Sequence, residues 1–370
     1  MSREGYRRFG VEEEYLLLKD ADGRPADRAA DVIHGMRERR EQADQEYFLS
    51  QLEAATPICR TAGEAAESLE RFRGEAASAA RERGLVLAGS GMPPAGGETE
   101  GTRTPGRRYR RIADALGATA KHQFATGTHV HVEIPSRDAG VRVLRRLARW
   151  APALLAMTAN SPVWCEERSG FMTWRYVSYL TWPISGWPPD FTDGSEYDGT
   201  IAQLVRAGIL LDSGVGTWAA RLSDDYPTLE LRIADAQLRA SDAVVFGALV
   251  RALVERCIRD DERGAPPPSA APALVNASLW LAARDGLEGE LMDPSEGDLL
   301  PGIDLLERAV ETAADELERF GDLALVERRV EALRRDGSPA AQQSGVFERE
   351  GIRGLLALYR ETWSPARSMI

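Results

Sequence analysis

Three stretches of the chain carry ionisable side chains spaced two residues apart. They are Glu12 and Glu14 in "FGVEEEYLLL", His129 and His131 in "THVHVEIP", and Glu230 and Arg232 in "YPTLELRIAD". Each stretch has the period of a strand, whose successive side chains point to opposite faces. Val11, Glu13, Tyr15 and Leu17 then share one face of the first strand, and Gly10, Glu12, Glu14, Leu16 and Leu18 the other. His129, His131 and Glu133 oppose Val130, Val132 and Ile134, with Thr128 on the apolar side. Thr228, Glu230, Arg232 and Ala234 oppose Leu229, Leu231 and Ile233. A wetted antiparallel sheet alternates in the same way, but its outer face usually mixes Lys, Thr, Ser and Arg. Here the polar positions are mostly Glu and His, which form ligands. Placed side by side, Glu12, Glu14, His129 and Glu230 would repel one another or lack partners unless a cation sat among them.

Carboxylate oxygens suit Mg2+ or Mn2+, and the histidine tilts the choice toward Mn2+. Mg2+ is commonly held together with substrate phosphates. Arg232, on the same face as Glu230, is suited to a phosphate oxygen. The pattern points to nucleotide-dependent phosphoryl chemistry without a P-loop, because no G-x-x-x-x-G-K-[ST] run occurs and "GSGMPPAGG" is too loose a match. A fourth segment, "EYFLSQLEAATP", adds Glu46 and Glu53. If it is extended, Glu53 shares a face with Gln51 and Leu49. Glu46 lies seven residues before Glu53, which in a regular strand is the wrong face.

The elements that must position these groups follow from the same pattern. Residues 1–60 read as strand-rich, with turn residues in "DADGRPADR". The Ala- and Glu/Arg-rich run 62–83 predicts a helix. "GLVLAGSGMPPAGG" predicts a short buried strand entering a Gly/Pro loop. A helix is predicted over roughly 138–158, a loop crowded with Trp, Tyr, Pro and Gly over 160–198, and a long helix from Ser241, as its N-cap, to Asp260. From about residue 241 the chain reads as mostly helical. No repeat is evident, and unequal insertions between strands suggest an α+β fold rather than a regular βαβ series. We take residues 1–370 as a single catalytic domain.

The chain has 370 residues, 43% of them hydrophobic, which allows a large core. A formal charge of −12 argues against a nucleic-acid surface. No apolar run approaches a membrane span, and "MSREGYRRFG" is not followed by a signal-peptide core, so a cytoplasmic protein without membrane contact is expected. Cys59, Cys165 and Cys257 form neither a disulfide framework nor a zinc pattern.

In order and spacing, "FGVEEEYLLL", "SQLEAATPIC", "GTHVHVEIP", "ANSPVW…GFMTWR…WP" and "YPTLELRIAD" resemble the successive motifs of the type 2 glutamate–cysteine ligases, and within them the YbdK-like carboxylate–amine ligases. The resemblance implies a glutamine-synthetase-like fold: a curved, mainly antiparallel sheet backed by helices, whose concave face binds ATP and divalent metal. It implies an amide-forming reaction in which ATP phosphorylates a carboxylate and an amine displaces the phosphate. The founding pair is the glutamate γ-carboxyl and cysteine, both small molecules. Residue by residue, it implies metal carboxylates at Glu12, Glu14, Glu53 and Glu230, a further acidic ligand at Glu46, a metal or ATP contact at His129, and a phosphate-contacting catalytic arginine at Arg232. Glu53 is counted with Arg232 among the catalytic residues.

Glu13 matches a variable position. The aromatic segment 171–187 is suited to cover a water-sensitive acyl phosphate, though ordinary packing would use the same residues. Arg175 and Arg221 keep the family's arginines and suit a substrate carboxylate. Arg168 stands where the family pattern is acidic, and Met92 where it has histidine. These two departures suggest a changed acid or amine, with Arg168 in the substrate region. Two other readings stay open: a non-catalytic nucleotide- or metal-binding protein on a ligase fold, and a guanidino-type phosphotransferase. The sequence also leaves a homo-oligomer open.

Overall fold

The computed structural model describes residues 6–363. The strands are β1 (Phe9–Lys19), β2 (Ala43–Gln45), β3 (Gln51–Ala55), β4 (Leu85–Ala88), β5 (Gly127–Glu133), β6 (Val163–Trp164), β7 (Glu167–Arg168), β8 (Ala220–Leu222), β9 (Thr228–Asp235), β10 (Glu290–Met292) and β11 (Leu299–Pro301). The helices before β8 are α1 (Ala29–Gly35), α2 (Ala62–Arg81), α3 (Arg107–Leu116), α4 (Arg137–Leu147), α5 (Ala151–Thr158), α6 (Trp174–Tyr179) and α7 (Gly194–Arg206). After β9 come α8 (Ala240–Glu262), α9 (Pro272–Asp285), α10 (Gly302–Thr312), α11 (Ala314–Phe320), α12 (Leu323–Asp336) and α13 (Pro339–Glu361).

The main sheet runs β2-β3-β1-β5-β9-β8, with β4 also paired to β1, and every pairing is antiparallel. This is the α+β, mainly antiparallel architecture expected. Register sets Glu12 beside His129, Glu14 beside Glu53, and His131 beside Glu230. The three spaced pairs thus become neighbours on adjacent strands.

The opposite face is apolar. Phe9, Val11, Val130, Val132, Leu229 and Leu231 are buried there in one core with Val244, Val245 and Ala248 of α8. Tyr15 and Leu17 continue that face into a second core with Phe72 and Ala76 of α2. Helix α2 starts at a capping box in which Thr61 and Glu64 satisfy each other's backbone N–H groups.

One end of the ligand-bearing face is sealed by apolar packing. Beyond Glu12 and Glu14, β1 presents Leu16 and Leu18, which pack against Leu355, Leu356 and Tyr359 of α13. The change from Glu to Leu along one face marks where the sheet passes from the site to the core.

Glu13 has a physical account that its strand does not supply. It is fully buried on the helix-backed face, where Arg73 of α2 donates through Nε to its Oε2 at 2.8 Å and through Nη2 to its Oε1. Tyr15 donates its hydroxyl to Oε2 at 2.5 Å. The Arg73 guanidinium lies 4.9 Å from the Trp363 ring centre. The pair therefore locks β1 to α2.

Several predicted elements shift. "EYFLSQLEAATPI" is not continuous strand: the chain turns between β2 and β3, with Gln51 Oε1 accepting from the Phe48 N–H. The predicted 138–158 helix is interrupted by a 3₁₀ turn at Ala148–Trp150, before Pro152 near the start of α5. Ser241 is not an N-cap. Helix α8 begins at Ala240 with Arg239 in that position and no side-chain cap; the acidic Asp242 occupies the first turn. The predicted loop 160–198 holds the β6–β7 hairpin, α6 and the start of α7; Thr173 caps α6 by accepting from the Tyr176 N–H. No described helix is long and apolar enough to cross a membrane.

Removing one member of a buried ion pair leaves the other charged and unpaired, at a cost of about 3–5 kcal/mol. Arg73→Met is expected to lower the unfolding free energy by that amount in a urea titration. Adding Glu13→Leu should recover most of the loss, and a single variant as stable as the parent would refute this role for the pair.

Candidate active site

The cluster is built on the polar face of β1, β5 and β9. Glu12 Oε2 lies 3.3 Å from His129 Nδ1, and Glu12 Oε1 lies 3.2 Å from His131 Nε2. Ligand atoms of Glu12, His131 and Glu230 all fall within 4.8 Å of one another. His131 was placed on the ligand-bearing face by its alternation, but the family pattern drew attention to His129 alone. Its pairing opposite Glu230 brings it into the cluster.

Glu230 is held by two arginines. Arg221 donates through Nε to Oε2 at 2.6 Å and through Nη2 to Oε1 at 3.2 Å, while Arg232 donates to Oε1. Burial would raise the Glu230 pKa, but Arg232 and Arg221 outweigh it and hold the carboxyl well below its usual range. Glu12 is likewise lowered, because hydrogen bonds from His129 and His131 overcome its burial. Burial, with the Arg232 charge, pushes His129 down to about 4.

The other carboxylates lack such compensation. Burial raises Glu14 despite Arg175, Arg232 and a 2.6 Å hydrogen bond from the Gly127 N–H. Burial and then Glu14 raise Glu46 to about 7. Burial, Glu14 and Glu46 raise Glu53 well above the ordinary value. Glu46 reaches this group because the turn after β2 sets it against Gln51: its N–H donates to the Gln51 carbonyl at 3.4 Å. This resolves the seven-residue offset.

The residues present fit a divalent cation. Carboxylate and imidazole groups converge, and the buried Nε2 of His129 has no hydrogen-bond partner among the described residues, 4.0 Å from Glu14 Oε1. Burial, with repulsion from neighbouring carboxylates, raises three carboxyls that a cation would let ionise.

A cleft of about 200 Å³ opens from Glu14, Glu46 and Arg232. Its walls include Tyr47, Tyr109, Gln123, Tyr179, Trp182 and the backbone of 214–217. The aromatic segment thus divides. Tyr179 and Trp182 stack 6.0 Å apart at the cleft, whereas Tyr176 and Trp187 are buried in the core and Phe171 packs on Trp174 and Trp280.

The arginines named for substrate divide too. Arg175 is buried, donating to the Arg232 and Ile233 carbonyls at 3.3 and 3.4 Å and lying 4.8 Å from the Tyr179 ring centre. Arg221 spans from Glu230 to the carbonyls of Gly214 and Gly216 in the cleft wall. Arg168 is on the exposed β6–β7 hairpin, paired with Glu348 of α13, and does not line the cleft. Met92 is buried in a loop away from the cleft lining.

Residues 8–357 match the family described as glutamate–cysteine ligase family 2 (GCS2). The chain belongs to that family. Relatives agree: a protein of Mycobacterium sp. (strain KMS), provisionally named glutamate–cysteine ligase 2-2, is 36% identical over 343 residues, covering 92% of this chain and 94% of its own length. A protein of Salinispora tropica, provisionally named glutamate–cysteine ligase 2, is 37% identical over 352 residues, covering 94% and 93%. The glutamate–cysteine ligase of Francisella tularensis, solved in complex with AMP, superposes with a TM-score of 0.73 at 12% identity, covering 98% of this chain and 89% of that one. As a member of glutamate–cysteine ligase family 2, this chain is an ATP-dependent carboxylate–amine ligase acting on small molecules. Neither the non-catalytic binder nor the guanidino-type phosphotransferase is favoured.

Two predictions follow from the electrostatics. Glu46 is partly protonated near neutrality, so cation binding should release protons and weaken as pH falls from about 8 to about 6. Titrating Mn2+ or Mg2+ at several pH values measures this, and Glu46→Gln should flatten the dependence. Separately, Glu230→Gln should abolish ADP release; near-normal turnover in that variant would exclude Glu230 as an essential ligand.

Proposed function

We propose that Glu12, Glu14, Glu46, Glu53, His129 and Glu230, joined by His131, hold Mg2+ or Mn2+ with the ATP phosphates, and that the enzyme joins a glutamate-type carboxylate to an amine. The observation that carries this reading is the convergence of Glu12, His131 and Glu230 under the arginines that clamp Glu230. Bound cations would supply charge neutralisation for phosphoryl transfer. Arg232, with His129 at 3.4 Å from its Nη1, would contact the transferred phosphoryl group. Glu53 completes the carboxylate set beside Glu14.

In the reaction, a substrate carboxylate oxygen attacks the ATP γ-phosphorus and ADP leaves. The amine nitrogen then bonds to the acyl carbon of the acyl phosphate, the C–O bond to phosphate breaks, and the nitrogen gives up a proton. Tyr179 and Trp182 stand where a cover would keep water from that intermediate. Arg175 and Arg221 meet substrate only at the edges of this arrangement, since both guanidiniums already bind protein groups.

The two departures that suggested changed substrates, Arg168 and Met92, lie outside the cleft lining. They give no reason to exclude glutamate as the acid or cysteine as the amine. In this reading residues 1–370 work as one catalytic domain in the cytoplasm, and a homo-oligomer is compatible with it.

The test is ADP release from Mg2+ and ATP with glutamate and a panel of amines beginning with cysteine, with products weighed by mass spectrometry. An amide product, made only when acid and amine are both present, is expected. ADP without any amide, or no ADP with any pair, overturns the proposal.

A further inference from the structure

The cleft suits a small molecule. Its volume of about 200 Å³ falls below that of pockets holding drug-sized ligands, roughly 300–1,000 Å³. An amino acid fits that space better than a whole nucleotide does. Glu12, His131 and Glu230, the cluster assigned to the cations and the ATP phosphates, do not line it. Arg232 belongs to both places, since it donates to Glu230 and lines the cleft. The cleft is therefore the place for the acid substrate, with its reacting carboxyl beside Arg232.

A glutamate-type acid brings a second carboxylate, which stays charged while the first reacts. The cleft already holds Glu14 and Glu46, so this group needs a cation of its own. Of the described lining side chains, Arg108 and Arg232 are the cationic ones. Arg232 is committed to Glu230 and the transferred phosphoryl group. Arg175 and Arg221 already bind protein groups. The two lining amides are also engaged, Gln51 with Phe48 and Ala125, and Gln123 with Ser178 and Thr181. Arg108 differs. It lines the cleft from α3 with Tyr109 and Ile112, and its Nη2 lies 3.2 Å from where a Cβ on Gly214 would stand, against the 214–217 segment of the wall. Its Nη1 donates to Asp212 Oδ2 at 2.7 Å, while Nε and Nη2 make no hydrogen bond among the described residues. The two side chains are 54% and 40% exposed, and a surface pair of this kind contributes little to stability.

We infer that Arg108 determines the choice of acid substrate: its free Nε–Nη2 edge binds the α-carboxylate of a free glutamate-type amino acid through two parallel hydrogen bonds. Asp212 keeps Nη1 and so steadies the guanidinium. The inference rests on the ligase reading above, because it assigns the bound carboxylate to the acid that is activated. It makes Arg108 the group that separates glutamate from an acid of the same length without the α-carboxylate.

The test uses the full chain with Mg2+ and a non-hydrolysable ATP analogue, titrated calorimetrically with two acids. L-Glutamate carries both carboxylates. 4-Aminobutyrate keeps the reacting carboxyl and the amino group but lacks the α-carboxylate. The parent should bind glutamate more tightly. Arg108→Gln should weaken glutamate binding about tenfold or more, as expected for losing hydrogen bonds to a charged group. It should leave the affinities for 4-aminobutyrate and for the ATP analogue as in the parent. Arg108→Lys, which keeps the charge without the fork, should fall between the two. Equal glutamate affinity in Arg108→Gln and the parent overturns the inference. So does an equal loss for both acids, which would mean a merely structural role, and so does a loss confined to the ATP analogue. A parent that binds the two acids alike, or binds no glutamate, overturns it as well. Binding is read without turnover: a parent that holds glutamate through Arg108 yet forms no amide would sink the ligase reading and leave this assignment standing.

Discussion

Carboxylate crowding on one buried sheet face is the constraint to which the rest of the molecule answers. At the 4.8 Å separation within which Glu12 and Glu230 fall, two such charges repel by about 3 kcal/mol at an effective dielectric near 20. The protein answers in two different ways across a few ångströms. Glu230 is neutralised by Arg221 and Arg232, and Glu12 accepts hydrogen bonds from His129 and His131, so both stay ionised. Glu14, Glu46 and Glu53 have less help, and their carboxyls rise. In the proposed reading one half of the cluster is a preformed anionic site, and the other half would gain its charge on binding a cation.

The fold is arranged to hold this state. Glu13, between the two site carboxylates of β1, points the other way and binds Arg73 of α2. The strand carrying the most repulsive part of the site is therefore anchored from behind by a buried ion pair. Further along β1, Leu16 and Leu18 are sealed by α13. The site occupies the stretch before Leu16, bounded by core on one side and by the aromatic residues and the 214–217 segment of the cleft wall on the other. Arg221 joins these layers, because one guanidinium reaches both Glu230 and the cleft wall at Gly214 and Gly216.

Charge is layered along the cleft as well. Acid groups and their arginines lie at the sheet, and aromatic rings, Gln123 and Arg108, paired with Asp212, complete the lining.

By itself the sequence determined which side chains share a strand face, because that depends only on the twofold period of extended chain. Glu12 with Glu14, His129 with His131, and Glu230 with Arg232 were legible for that reason, and so was the family. Helix α2 was legible from its composition. Tertiary structure alone decided what depends on contacts distant in sequence. The turn between β2 and β3 brought Glu46 round to Glu14. Strand register set His131 against Glu230, and α2 supplied Arg73 to Glu13. Arg168, basic at a position where acid was expected, went to Glu348 and away from the cleft. Local periodicity fixes the direction of a side chain from its own strand, but its partner is set by the packing of segments tens to hundreds of residues away, which no local pattern encodes.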